Sequence, residues 1–526
     1  MSNIYKLLIS ITVVFGMFTL YFFRPTLAYG FFGIPFFIFM VGLIWLFISD
    51  FRIKTPIYIG VVMLILIPFI TSFGGFHADS YKNLLGKVET KEFSQDVSPI
   101  DIHKVRVVDE ALAEKLGEKL LGSNPALGSI VQLGEFNIQL VNEKLYWVSP
   151  LLHSGIFKWA NSEGTPGFIM VSATNPTDVR LVEEINGKQL VIKYQPNAYF
   201  GENLSRYMYF NGYATRGLTD YSFELDEDLN PYYVITLYEK TIGYGGSNAV
   251  GVVIVDPQTG DIKEYTMNEI PSWVDRVQPE NFITNQIDDW GQYVHGWLNS
   301  IFSQKDALTS SKGMSLVYGA DNKSYWYTGM TSVGKDGSTV GFMLVNTKTK
   351  ASKWYKQSGA TESKAAKSAE GEVQEKGYVA TSPILYNVLG LATYVTTLKD
   401  GEGLVKLVAF VSVENYSMVG TGKTIKAALR SYKSILSASG NKTNLSSNYE
   451  TTKLKGLVER ISKDIKKGDT FYYIKIKDDN TNKIYMTNSI LSDDIVLTQV
   501  GDKVSIEYET SETKYIDLVN FSNETF

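Results

Sequence analysis

Three apolar stretches fill the first 75 or so residues of the 526-residue chain, and they constrain its folding more than any later feature. Ile4–Phe23 is apolar apart from Tyr, Lys6, Ser and Thr, and Arg24-Pro25 breaks it; Tyr29–Ser49 and Ile57–Phe73 follow. About 20 residues cross the hydrocarbon of a bilayer, so each stretch is predicted to span once, forming a three-helix transmembrane bundle over residues 1–76. A signal peptide cleaved at Thr26-Leu27-Ala28 would leave two spans; three is the expectation. Asp50, Arg52 and Lys54 separate the second and third stretches, and Tyr21, Phe22, Phe23, Tyr29, Phe31 and Phe32 crowd one predicted interface. Lys6, Arg52 and Lys54 on one side nearly balance Arg24, Lys82, Lys87 and Lys91 on the other. Long domains translocate largely regardless of charge, which favours a cytoplasmic N-terminus and an extracytoplasmic C-terminal region. No ionisable residue lies well inside a stretch, so the buried charge of an ion pathway is missing and an anchor is expected.

The remainder is too long for one core and should divide into several domains. A net charge of −5 and a pI near 5.7 give no electrostatic case for nucleic acid, which is not expected as a partner. The absence of cysteine excludes a disulfide framework, a thiol nucleophile and Cys-ligated zinc. With 33 Tyr and 44 Gly, the region after the apolar stretches is expected to be α+β and rich in strands.

Residues 77–140 read as a stem, in which Val105, Val108, Leu112, Leu116 and Leu120 recur at helical spacing. Four hairpin patterns follow, each an aromatic-led strand, a polar turn and a β-branched strand. They run from Leu145-Tyr-Trp147 to Asn175, from Tyr232-Tyr233 to Asp261, from Tyr325-Trp326 to Asn346, and from Thr393-Tyr394 to Glu414. Helices are predicted over Pro271–Phe302, with Ile283, Ile287, Trp290, Val294, Leu298 and Ile301 on one stripe, and over Thr424–Leu436. Residues 141–310 thus hold a first pair of hairpin and helix modules and 311–438 a second pair. Residues 439–453 read as a polar linker.

Tyr233-Val-Ile-Thr-Leu with Val-Ile-Val-Asp256-Pro-Gln-Thr-Gly260-Asp261 resembles the PepSY hairpin, in which a strand ends in Val-Asp-x-x-Thr-Gly. The resemblance implies a binding or modulatory module outside the cytoplasm and assigns no catalytic residue. Residues 454–526 hold five short strand candidates, including Asp494-Ile-Val-Leu497, and Gly501-Asp502-Lys503-Val504 resembles the turn of small barrels. An OB-like barrel is the expectation, used for protein contact.

Four motifs suggest chemistry. Gly420-Thr-Gly422-Lys423-Thr424 resembles a phosphate loop, but Ser417 stands where the first glycine is needed, so a glycine-rich helix entry is expected. His77, His103, His153 and His295 share no metal-ligand spacing. Glu224, Asp226 and Asp228 alternate like a calcium loop, but Pro231 occupies a position needing glycine, so a solvated acidic turn is expected. Lys350–Lys376 reads as a solvated helix or a mobile excursion, not a charged binding arm. No catalytic, cofactor-binding or metal residue is nominated.

The functional expectation is a non-enzymatic, membrane-anchored extracytoplasmic scaffold or binding protein of the cell envelope. Its expected partners are the lipid bilayer, other envelope proteins or further copies of itself as a homo-oligomer. A hydrolase using carboxylates assembled by folding, and a subunit of a membrane transport or secretion complex, are the alternatives.

Overall fold

The computed structural model describes residues 3–48, 54–102, 104–311, 313–334, 338–439, 451–466, 469–479, 481–489, 491–509 and 514–526. Two compact units divide the chain: residues 1–92 with 103–361, and residues 93–102 with 362–526.

The apolar stretches form the helices Asn3–Phe22, Gly33–Ile48 and Lys54–Ser72. The three-span transmembrane bundle expected from composition is nevertheless not supported. Among the described residues, no single helix is long and apolar enough to cross a membrane. The apolar helices Ile9–Phe22 and Gly33–Gly42 fall short, and one pair that passes together, Gly60–Ser72 with Gly74–Asn83, is bent by 48°. The bend has a local cause: Phe73 takes an extended backbone, φ −68° and ψ 124°, and the polar helix Gly74–Asn83 starts afresh after it. The integral-membrane localisation and the orientation built on three spans fall with this finding. Asp50 and Arg52 lie outside the described residues.

The helix ends are built into the first unit. Leu27 N–H donates to Ala214 O at 2.8 Å, and Tyr244 N–H donates to Ser72 Oγ at 2.7 Å. Tyr209 Oη donates to Pro25 O at 2.9 Å, and the Arg206 guanidinium lies 4.4 Å from the Tyr21 ring centroid. Phe31 meets Tyr238 edge to face, with ring centroids 5.5 Å apart.

Three larger sheets, antiparallel but for one parallel edge pair in the third, dominate the rest of this unit. The first runs Val131–Leu133, Lys144–His153, Phe168–Ser172, Val179–Val182, with Asn137–Val141 also pairing Lys144–His153. The second runs Ile262–Thr266, Gly245–Val255, Pro231–Ile242, Gly217–Leu225. These two share a core in which Phe168, Met170, Phe223, Tyr233 and Val253 interlock. In the third, Val88–Lys91 pairs in parallel with Ser352–Tyr355, followed by Thr339–Asn346, Ser324–Ser332 and Leu308–Ser310, with Ser315–Tyr318 beside Ser324–Ser332.

The amphipathic run starts later than its spacing predicts. The helix is Glu110–Gly122, capped by the Asp109 carboxylate on Leu112 N–H, while the buried Val105 and Val108 precede it. The next long run also stops early: the helix is Glu280–Gln292, Gly296 takes a left-handed φ of 82°, and Leu298 and Ile301 are exposed.

A backbone clamp recurs at each of these three sheets. Two consecutive N–H groups donate to one carbonyl: Val107 and Val108 to Ala173, Lys193 and Tyr194 to Pro257, Val277 and Gln278 to Thr347. In the first and third sheets an indole reinforces it, with Trp147 Nε1 donating to Val108 O at 2.8 Å and Trp326 Nε1 to Gln278 O at 2.7 Å. Both interactions satisfy groups that would be costly to bury unpaired.

The second unit contains a sheet of the same kind, Val379–Ala380, Leu391–Lys399, Val405–Ser412, Val419–Gly422, with Ile384–Val388 beside Leu391–Lys399. The helix Glu362–Glu372, within the run expected to be solvated, buries Ala365 and Ala369. One turn chemistry closes all four sheets. An Asn or Asp side chain ending the second hairpin strand, or just after it, accepts the N–H two residues on: Asn175 from Thr177, Asp256 from Gln258, Asn346 from Lys348 and Asn415 from Ser417.

Gly420 and Gly422 sit in the edge strand Val419–Gly422, not in a turn. A Cβ at Gly420 would fall on the backbone of Tyr432, and one at Gly422 on that of Ala428, so the glycines let the helix Ile425–Ala438 lie close on its strand. Thr424 caps that helix through Ala427 N–H at 3.2 Å. The linker residues 440–450 lie outside the described residues.

The strands Thr451–Lys466, Asp469–Ile476, Ile484–Asn488, Tyr515–Asn523 and Lys503–Glu509 close into a barrel around Val458, Ile474, Tyr485, Val504, Ile506 and Phe521. Asp494–Leu497, expected as a strand, is instead one helical turn that buries Ile495, and the fifth strand is Tyr515–Asn523. All eight tryptophans precede residue 361, so indole fluorescence reports the first unit alone. Gly420→Ala overpacks the second unit and should destabilise it by about 1–3 kcal/mol. Urea-pulse proteolysis of the full chain checks this, with tryptophan fluorescence of the first unit expected to stay unchanged.

Candidate functional site

The motifs singled out in the sequence do not converge on a site. His77 occupies a non-helical backbone position within Gly74–Asn83. His153 is buried, its Nε2 has no partner, and burial lowers its pKa. His295 is exposed and pairs with Asp306 Oδ2 at 3.0 Å. His103 lies outside the described residues. Among the described residues, no group of three His, Asp or Glu side chains is placed to hold a metal ion.

The calcium-like run divides by burial. Asp226 turns its carboxylate inward on its own loop, with Oδ1 accepting Asp228 and Asn230 N–H and Oδ2 accepting Asn230 Nδ2, at 2.8–2.9 Å. Glu224 does not belong to a solvated turn: it lies within the strand Gly217–Leu225 and is 2 % exposed.

An open cleft of about 520 Å³ lies instead in the first unit, lined by Thr219, Asp220, Arg276, Pro279, Glu280, Asn281, Thr284, Asn285 and Trp326. Asp220 reaches it because the edge strand bulges. Tyr221 pairs with Ile235 and Thr219 with Thr236, leaving Asp220 as the extra residue with a left-handed φ of 51°. Non-glycine residues hold that backbone only where their surroundings enforce it. Glu280 and Asn281 open the helix Glu280–Gln292, whose N-cap, Pro279, has an extended backbone.

Arg276 Nη2 donates to Asn137 Oδ1, which fixes the guanidinium beside several acids. Burial raises the Glu280 carboxyl pKa; Arg276 opposes the shift, and Asp220 and Glu110 reinforce it. Burial, then Glu114 and Glu135, raise Glu110 in the same way. The cleft therefore offers a cation, carboxylates, two carboxamides and two hydroxyls around an indole. That set suits reading a polar segment that bears both signs of charge.

On the same Asp275–Arg276 segment, a second group of polar residues is sealed from water. Glu224 accepts Asp275 N–H through Oε2 at 2.9 Å and the Ser222 hydroxyl through Oε1 at 2.7 Å. Asp275 Oδ2 accepts Leu140 N–H and the Tyr318 hydroxyl, each at 2.9 Å. The Asp275 carbonyl accepts Ser324 Oγ at 2.7 Å and Thr347 Oγ1 at 2.6 Å. Gln139 adds Nε2 to Phe223 O and receives Leu225 N–H on Oε1, both at 2.8 Å. Strands of all three sheets thus meet on one aspartate. Alternation along Tyr221-Ser-Phe-Glu-Leu225 places Ser222 and Glu224 on one face, but no local pattern distinguishes Asp275.

Asp226→Ala should cost about 1–3 kcal/mol, because it strips three hydrogen bonds from a turn. Calcium added to the wild type should leave the unfolding transition of the first unit unmoved; a calcium-dependent rise would make the loop a site. No protein-family model matches this chain, and no curated protein matches it.

Proposed function

We propose that this chain is a non-enzymatic scaffold or binding protein that acts through its sheet and helix modules. The reading is carried by what recurs. The two-amide clamp on Ala173, Pro257 and Thr347, and the side-chain turns at Asn175, Asp256, Asn346 and Asn415, repeat packing and backbone satisfaction. Among the described residues, no polar set suited to catalysis repeats with them. Surface-building tolerates this pattern, whereas an enzyme duplicated as a unit would carry its reactive groups into each copy.

In this reading the cleft contacts a mixed-charge protein segment, from another protein or a second copy of the chain. Arg276 meets a carboxylate, while Asp220 and Glu280 meet an ammonium or guanidinium group. One observation favours the hydrolase alternative: Asp220 and Glu280 share that cleft, and burial raises Glu280. Against it, Glu224 and Asp275, two neighbouring acids whose carboxyl pKa burial also raises, are sealed where no substrate reaches.

Fluorescence anisotropy with a labelled Lys-Ser-Ser-Glu tetrapeptide, against an all-serine control, tests the cleft. Saturable binding of the charged peptide is expected, weakened about tenfold by Arg276→Ala, with the peptide recovered intact. Equal affinity for both peptides would overturn the reading, as would cleavage abolished by Glu280→Gln.

A further inference from the structure

Glu224 and Asp275 are both buried, and Asp275 N–H donates directly to the Glu224 carboxyl. The charged and titratable groups facing them are few. From the segment before the helix Glu280–Gln292 comes Arg276, whose hydrogen bond goes to Asn137. From the loop after Thr339–Asn346 comes Lys348, whose Nζ donates to Pro271 O and Ser272 O. From Ser315–Tyr318 comes the Tyr318 hydroxyl, which donates to Asp275. Among the described residues no cation forms an ion pair with either carboxyl.

Each acid receives one backbone amide and one hydroxyl, and Glu224 is the more deeply buried, 2 % exposed against 8 % for Asp275. Asp275 Oδ2 receives an amide and a phenol, the donors that an ionised carboxylate needs. Glu224 receives one amide on Oε2, and on Oε1 meets Ser222 Oγ, which also lies 3.4 Å from Val234 O. Ser222 can therefore turn its hydroxyl to Val234 O and accept a hydrogen bond from a protonated Glu224. Arg276 and Lys348 face the pair but spend their hydrogen bonds on Asn137, Pro271 and Ser272, so a second buried negative charge would have no direct ion pair, and neutrality of one acid is the arrangement the geometry favours.

We propose that a proton on Glu224 locks the three sheets of the first unit together, and that its loss loosens the junction behind the Asp220–Arg276–Glu280 cleft. The device stands independently of what the cleft binds. Its sign follows from the direction of the shift. Burial first, then Asp275, pushes the Glu224 carboxyl up to about 7, above the roughly 4.3 of an unfolded glutamate. A raised acid contributes stability that is complete below the unfolded value and is lost as pH climbs through the folded one.

The test uses the full chain, with tryptophan fluorescence reporting the first unit. Between about pH 5 and 8.5 the folding equilibrium constant of the wild type should fall roughly tenfold or more further than that of Glu224→Gln. The amide variant keeps a neutral side chain that can accept from Asp275 N–H and donate to Ser222. Infrared titration of the wild type gives a reading that does not depend on the variant folding: a protonated-carboxyl carbonyl band should persist near neutral pH and vanish above it. Parallel pH profiles for the two proteins, or no such band in the folded wild type near neutrality, would overturn the proposal.

Discussion

Asp275 is the residue on which the first unit depends. Its backbone carbonyl receives hydroxyls from Ser324 and Thr347 of the third sheet region, its carboxylate receives Leu140 of the first, and its amide reaches Glu224 of the second. Nonpolar packing joins the first two sheets through Phe168, Phe223 and Tyr233, but nonpolar contact is tolerant of sliding. Directional bonds in a sealed site are not, because each one broken leaves a buried polar group unpaired. The junction thus fixes how three independently closed sheets stand to one another.

Position then becomes function. Arg276 follows Asp275 directly, and two residues later Gln278 takes the indole of Trp326 on its carbonyl. Pro279 and Glu280 begin the helix that forms one wall of the cleft. The cleft is therefore assembled by the segment that ties the sheets, with Asp220 added by a bulge in the second sheet. A ligand seated there would press on the element that holds the modules in place, which suits a binding surface better than a site requiring several mobile catalytic groups.

Local pattern made the strand-rich α+β character legible, since aromatic and β-branched runs mark the hairpin strands. It also placed the helix that follows Thr424. It failed where tertiary contact decides. Composition made residues 1–76 read as three membrane spans, yet no single described helix is long and apolar enough to cross, and their ends are bonded to Ala214 and Tyr244. The turn shared by four sheets was hidden because asparagine does in three of them what aspartate does at Asp256. Gly420 and Gly422 read as a glycine-rich helix entry but lie in the edge strand, because the close helix packing that requires them does not show in the local sequence. Glu224 looked solvated because its burial comes from Asp275, 51 residues away.

Native-state hydrogen exchange on the first unit reads directly how its three sheets are coupled. With Asp275 intact, protected amides of Trp147–Val148, Ile235–Leu237 and Trp326–Thr328 should open in one cooperative step with a common free energy. In Asp275→Ala the third sheet should separate and exchange at a lower free energy than the first two. If the three sheets stay coupled in that variant, the Asp275 junction is not what holds them.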